Sequence, residues 1–300
     1  MKQRGTTYKK TLGKPRRPKE TRPASGKFGA KNKPEEQPAR ITRGSKSTAK
    51  EFNVGHSNDC IYGVNAAISA LKSGKRKVSQ IFLAEGNDEL LNRVKTSLRN
   101  WESKVVTLDR LLLAKLCDSN HHQGIVVECS PFPLLAEDVL RKNLQNMKGI
   151  LLVDQVLDPQ NLGAIIRNAA FFGIKNLVIT KRNCAPITAA VAKASAGNLE
   201  KMNIYSVTNL ATVMQKIKQE NFWVVGTDME GDDIKTFSRP DKFALVMGSE
   251  DKGLRRLTRE NCDFIVKIPG DSSVESLNVS SACGIVLYEL TRSQNTTSST

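Results

Sequence analysis

Histidine, paired cysteine and long apolar runs are what this 300-residue chain has least of, and each shortage removes a class of function. The three histidines and six cysteines are scattered, and no CxxC pair or His-x-x-x-His completes a ligand set, so no metal is expected. Cys60, Cys117, Cys129, Cys184, Cys262 and Cys283 read as reduced, mostly buried thiols. No apolar stretch approaches the roughly 20 residues of a spanning helix, and the N-terminus lacks the apolar segment of a secretory signal. Neither a membrane protein nor a secreted one is expected. Nucleotide loops are missing too: no GxGxxG follows a candidate strand and no GxxxxGK[ST] occurs, so any nucleotide-like ligand needs another device. With no recognition helix, zinc finger or basic zipper visible, DNA is not the expected partner.

Positive charge is what the chain has in excess, and it is unevenly placed. Of a formal net charge of +16, residues 1–50 hold 16 Lys and Arg against three Glu, whereas residues 51–300 hold 30 against 27. The first 50 residues mix Lys, Arg, Pro and Gly with few apolar side chains and cannot bury enough surface to offset their ordering entropy, so this tail is expected to be disordered. It can act as an electrostatic tether for a polyanion, releasing counterions as it meets phosphates. A solubilising tail and an organellar transit peptide are the other readings, the latter opposed by frequent Pro and Lys.

From Phe52 apolar segments alternate with polar ones. In a first block, 52–130, the positions Ile61, Val64, Ala67, Ile68 and Leu71 have helical spacing, and Val78–Leu83 reads as a strand. A helix over 88–101, a strand over 104–108, a helix over 110–117 and a strand over 124–129 complete a small α/β unit. Residues 131–148 form a linker with a short charged helix. The second block, 149–293, has strands predicted at 150–153, 176–180, 203–207, 222–227, 243–247 and 264–268 with helices between most of them, and 294–300 is expected to be disordered. Such alternation implies a mainly parallel sheet covered on both faces, with a ligand near the carboxyl ends of the strands.

Three segments stand where a predicted strand gives way to a loop or helix. In the first, Asp158 and Pro159 make a helix start, and Leu162, Ile165, Ile166 and Ala169 form a buried stripe. Asn161 and Arg167 are left over as polar groups, either handling phosphate and ribose or lining a solvated face. In the second, Gly248 follows a strand, where backbone can closely approach a ligand or simply turn. In the third, Ser276 and Asn278 precede an apolar helix and can be caps or part of a site in which the helix N-terminus offers donors.

Together and in this order, NLGAIIRNA (161–169), GSEDKGL (248–254) and IPGDSSVESLNVSSACGIVLYE (268–289) resemble the motifs of the SpoU/TrmH branch of the SPOUT RNA 2′-O-methyltransferases. The first block resembles the family's substrate-binding domain through Tyr62-Gly-Val-Asn-Ala and His122-Gln-Gly-Ile-Val-Val, so the likeness spans about 52–293. Three positions depart from the family pattern: Asp251 stands where Gly is usual, Gly270 where Met is common and Ser272 where a second Gly is usual. Asp visits left-handed backbone angles more readily than most residues, which suits position 251.

The resemblance implies an α/β catalytic domain tied into a deep trefoil knot, a rare exception to unthreaded chains, preceded by a small α/β substrate-binding domain. It implies S-adenosylmethionine held in a bent form, and a homodimer with the site at its interface. Gly248, Ile268 and Leu277 are then the positions that touch the cofactor, largely through backbone, with Thr227 as a further wall. Arg167, Glu250, Ser276 and Asn278 are the matched active-site positions and Asn161 a supporting one. Arg167 either accepts the 2′-hydroxyl proton or, as a guanidinium that proteins do not deprotonate, stays cationic and stabilises the developing alkoxide. The two-domain arrangement is similar to that of members making 2′-O-methylguanosine in large-subunit rRNA; tRNA guanosine methylation is the alternative within the family. A non-catalytic RNA-binding or ribosome-assembly factor is the alternative outside enzymology. The expected location is the bacterial cytoplasm, with the mitochondrial matrix as the alternative.

Overall fold

The computed structural model describes residues 60–249, 253–271, 273–274 and 276–292. The expected disordered segments 1–50 and 294–300, the site candidate Glu250 and the departures Asp251 and Ser272 lie outside the described residues.

In the first block, β1 (Cys60–Tyr62), α1 (Val64–Ser73), β2 (Val78–Ala84), α2 (Asp88–Lys95), β3 (Val105–Leu108), α3 (Arg110–Cys117) and β4 (Ile125–Cys129) follow one another. The sheet order is β1-β4-β2-β3, with β4 antiparallel to β1 and β2, and β2 parallel to β3. Two expectations are corrected here. Ile61 belongs to a short strand rather than a helix, because Cys60–Tyr62 pairs with β4 and the chain then breaks at Gly63, whose φ of 88° leads into α1. The helix expected to reach Trp101 stops at Lys95, since the Thr96 and Ser97 hydroxyls donate to the Arg93 carbonyl at 3.0 and 2.6 Å and compete with further winding.

After α4 (Glu137–Asn143), the second sheet contains β5 (Gly149–Val153), β6 (Asn176–Thr180), β7 (Asn203–Val207), β8 (Trp223–Asp233), β9 (Phe243–Met247) and β10 (Phe264–Lys267). Its order is β10-β8-β9-β5-β6-β7, and every pairing is parallel. The helices are α5 (Pro159–Phe171), α6 (Ala189–Ala194), α7 (Leu210–Gln219), α8 (Arg256–Glu260) and α9 (Val279–Thr291). β5 and β9 are buried throughout, as central parallel strands must be when both faces are covered. Alternation then sorts their side chains. Leu151, Val153, Leu245 and Met247 pack with α5 and α9, whereas Ile150, Leu152, Ala244 and Val246 pack with α7 and α4. Among the described residues no helix is long and apolar enough to cross a membrane.

Strand β8 runs past the expected end at Thr227, and it does so irregularly. Ile265 pairs with Gly226, yet its neighbour Val266 pairs with Asp232, so residues 227–231 leave the sheet and rejoin it. At the return point Gly231 lies so near β10 that a Cβ there would stand 2.6 Å from the Ile265 carbonyl oxygen. Only glycine permits this approach.

The first block joins the second through α1 and the 3-10 turn Asn198–Lys201. Glu200 accepts from Arg76 at 2.8 Å with side chains only 2% and 4% exposed, and it also takes a bond from the Ser73 hydroxyl at 3.2 Å. The Arg76 guanidinium lies over the Phe132 ring, 5.2 Å from its centroid. Beside it, burial lowers the Lys75 pKa against the opposing pull of Glu200, while its ammonium donates to the Met202 carbonyl at 2.6 Å. Replacing one partner strands the other charge in the interior. Glu200→Ala is therefore expected to lower the unfolding free energy by about 3–5 kcal/mol, and Arg76→Met with Glu200→Leu to recover most of it. Urea denaturation checks this; a single-mutant loss below about 1 kcal/mol, the level of an exposed pair, contradicts it.

Candidate active site

The carboxyl ends of β8, β9 and β10 open onto one cavity of about 1120 Å³, at the upper limit of the ~300–1,000 Å³ usual for ligand clefts. Its walls come from Thr227–Met229, from Met247–Ser249 with Gly253, from the stretch after β10 that includes Ile268, Asp271, Val274, Ser276 and Leu277, and from Val279, Ala282 and Ile285 of α9. Thr227, Gly248, Ile268, Leu277 and Ser276 are thus brought together. Thr227 is fastened to the end of β9, its hydroxyl donating to the Val246 carbonyl at 3.4 Å. The second motif closes on itself through reciprocal backbone bonds between Ser249 and Gly253, at 3.0 and 3.1 Å. A Cβ on Gly248 would stand 2.4 Å from the Gly253 carbonyl, so this loop needs glycine for closeness of backbone to backbone.

The lining fits a nucleoside carrying a positive centre. Ile268, Leu277, Val266 and Val279 offer apolar walls to a base, and among the described residues the charged lining side chains are Asp228, which Arg259 pairs, Asp271 and Lys267. The backbone N–H and hydroxyl of Ser273 hold the Asp271 carboxyl below its usual range, keeping it anionic. Val274 and Leu277 are 57% and 50% exposed, apolar surface that a bound ligand would cover.

Of the two roles left open by the sequence, the structure shows Asn278 as a cap, and it does not line the cavity. Its Oδ1 caps α9 by accepting from the Ser280 and Ser281 amides at 2.9 and 3.3 Å, while its Nδ2 donates to Asn161 Oδ1 at 2.9 Å. Two turns further along α5, Asn168 donates to the Ser280 carbonyl at 2.8 Å, so two asparagines bind α5 to the start of α9. Asp158 caps α5 through the Gln160 amide at 2.9 Å, ahead of Pro159. Leu162, Ile165, Ile166 and Ala169 are fully buried beneath it.

Arg167 lies elsewhere. It is exposed on α5, and neither it nor Asn161 lines the cavity. Glu250 lies outside the described residues. Two cysteines are buried and four half-buried, fewer than expected, and burial pushes the thiols of Cys184, Cys262 and Cys283 up to about 12. Among the described residues no grouping of His, Cys, Asp and Glu could hold a metal ion.

Three residues escaped the sequence reading. Asp154 ends β5 fully buried, and Arg259 on α8 pairs with Asp228 and Glu230. Lys193 on α6 donates to the His121 carbonyl and lies over Tyr62, 4.9 Å from the ring centroid. It meets Tyr62 of one stretch that carried the resemblance and the residue just before the other, and the two stretches are joined where Gln123 accepts from the Val64 amide at 2.9 Å. An acid closing an apolar strand was a signal for Asp154; spacing gave none for the other two.

A model of the SpoU rRNA Methylase family matches residues 148–288, and one of RNA 2′-O ribose methyltransferase substrate binding matches residues 60–135. The chain is 39% identical over 239 residues to the 23S rRNA (guanosine-2′-O-)-methyltransferase RlmB of Pseudomonas aeruginosa, covering 77% of this chain and 95% of that one. It is 36% identical to the protein of the same name from Salmonella typhimurium, over 78% of this chain and 98% of that one. Among solved structures it is similar to the SpoU methyltransferase AviRb from Streptomyces viridochromogenes in complex with AdoMet, with a TM-score of 0.66 at 25% identity, covering 78% of this chain and 89% of that one. An AdoMet-bound rRNA methyltransferase from Sinorhizobium meliloti shares the fold, with a TM-score of 0.62 at 20% identity over 77% and 85% of the two chains.

Because the cap of α9 and the bridge to α5 use different atoms of Asn278, substitutions separate them. Asn278→Ala is expected to cost about 1–2 kcal/mol of unfolding free energy, whereas Asn278→Asp, an equally good cap, keeps most of the stability and loses only the donor to Asn161. Denaturant unfolding of both variants checks this, and equal losses would remove the capping role.

Proposed function

The chain belongs to the SpoU rRNA methylase family, and we propose that it transfers a methyl group from S-adenosylmethionine to the ribose 2′-oxygen of a guanosine in large-subunit rRNA. The observation that carries this reading is that Thr227, Gly248, Ile268, Ser276 and Leu277 wall one cavity beside three parallel strands. Its apolar walls and the anionic Asp271 suit this cofactor, which supplies an electrophilic methyl group on a sulfonium. Ile268 and Leu277 hold the base between them, the backbone beside Gly248 approaches the ligand closely, and Ser276 and Asn278 orient the ribose. Asn161 supports Asn278, and Glu250 completes the set. The division is that of a substrate domain over 52–130, a linker over 131–148 and a catalytic domain over 149–293, the last tied into the family's trefoil knot. The reaction belongs in the bacterial cytoplasm.

Arg167 acts from a second copy of the chain. It shares a face of α5 with Phe171, one turn away and 82% exposed. Nearby on α9, Ile285 and Tyr288 are 40% and 53% exposed, with Tyr288 meeting Phe172 at 6.4 Å between ring centroids. An apolar face of this kind calls for a partner, and a homodimer covering it carries Arg167 toward the partner's cavity. There the guanidinium stays cationic and stabilises the developing 2′-oxyanion, while a phosphate or water takes the proton.

Incubating the purified protein with S-adenosylmethionine labelled in the methyl group and unmodified rRNA is expected to label the ribose of one guanosine in the large-subunit RNA. Arg167→Ala is expected to lower turnover by about 10²-fold or more with cofactor affinity unchanged. Label appearing only in tRNA overturns the substrate assignment, and label in no RNA favours a non-catalytic binding factor. Loss of cofactor affinity in Arg167→Ala overturns its role.

A further inference from the structure

The loops that wall the cavity do not stand by themselves; a five-residue helix behind them holds two of them at once. α8 starts directly after the loop closed by Ser249 and Gly253. At its entry Arg255 reaches Asp154, with Nε 3.1 Å from Oδ2 and Nη2 2.6 Å from Oδ1, the latter an ion-pair contact outside hydrogen-bond geometry. One turn on, the Thr258 hydroxyl, itself 2% exposed, donates to Asp154 Oδ2 at 2.6 Å. The next residue, Arg259, sends its guanidinium the other way, pairing with Asp228 and, at 3.2 Å, with Glu230. Both acids belong to residues 227–231, the excursion of β8 that forms another wall of the cavity.

Asp154 is where this arrangement is anchored. It sits at the carboxyl end of the central strand β5, fully buried, and its amide donates to the Met247 carbonyl at 2.8 Å, the last residue of β9 before Gly248. It does not line the cavity. A carboxylate in such a place is costly to desolvate and is no better for packing than an apolar side chain, so its advantage is direction: it accepts only from donors at set positions. Those donors are the first turn of α8.

We propose that Asp154 is a positioning residue for the methyl-donor site, which through Thr258 and Arg255 fixes α8 and thereby sets the separation between the backbone of Gly248, Ser249 and Gly253 and the 227–231 excursion. It rests on the methyl-transfer reading but goes beyond the residues matched to the chemistry. Asp154 touches neither reactant. It decides how well the two walls close on the cofactor.

Calorimetric titration of S-adenosylmethionine into the full chain, paired with initial-rate kinetics on rRNA, tests this. Thr258→Val keeps the shape of the side chain and removes the hydroxyl; it is expected to weaken cofactor binding about tenfold or more, the loss of a hydrogen bond to a charge. KM for the cofactor should rise in parallel, with kcat at saturation nearly unchanged. Thr258→Ser restores the donor and is expected to return affinity close to wild type. Asp154→Asn should weaken binding at least as much as Thr258→Val, and if it does not fold, the Thr258 pair decides alone. Wild-type affinity in Thr258→Val, or a loss in kcat rather than in cofactor KM, overturns the positioning role while leaving the methyl-transfer reading intact. Absence of cofactor binding by the wild-type chain overturns both.

Discussion

Parallel pairing from β10 through β8, β9 and β5 is the constraint on which the site depends. Parallel strands run toward the same edge of a sheet, so the 227–231 excursion of β8 and the segments that follow β9 and β10 emerge side by side and must share the space beyond it. The burial of β5 and β9 on both faces keeps those ends in register, because a shift by one residue would turn each strand's α5/α9-facing side chains toward α7. The cavity is therefore a consequence of the core. Its position follows from the register, and its shape from the loops.

Much of this architecture is legible in the sequence, for an identifiable reason. Central parallel strands are short apolar runs such as Gly149–Val153 and Phe243–Met247, and α5 begins with an Asp-Pro start whose capping bond is present in the structure. Gly248 could be singled out because it follows such a run and Ser276 because it precedes an apolar helix, whereas Ile268 and Leu277 came only with the family resemblance; the structure brings all four to one cavity. What stayed hidden depended on pairing. Residues 60–62 form a strand only because β4 lies beside them, and no pattern in three residues foretells that. The departure of 227–231 from β8 is equally invisible, as it is defined by the register of β10.

The same distinction separates the polar residues that could be found from those that could not. Asn161, Arg167 and Asn278 stood out as polar positions beside an apolar stripe or at a helix start. Asp154, Glu200 and Arg259 are recognised by their partners, which are 101, 124 and 31 residues away for Arg255, Arg76 and Asp228. Ion pairs of that sequence separation exist only once the fold has formed. They are specific to geometry in a way that periodicity cannot encode.

Charge is placed accordingly, and its placement divides labour. Asp154 and Thr258 are buried, where low polarisability strengthens their contact and a misplaced donor is heavily penalised, while Arg255 reaches Asp154 from an exposed position. Arg167 is exposed instead, on a helix whose opposite face is locked into the core by Leu162, Ile165 and Ile166. Rigid helix and accessible guanidinium together give a charge whose origin is fixed while its tip can meet a ligand from outside. A cation buried in its own protomer would need a counter-charge, and that counter-charge would weaken it toward an oxyanion. Exposure on a rigid support avoids this, as the role proposed for Arg167 requires.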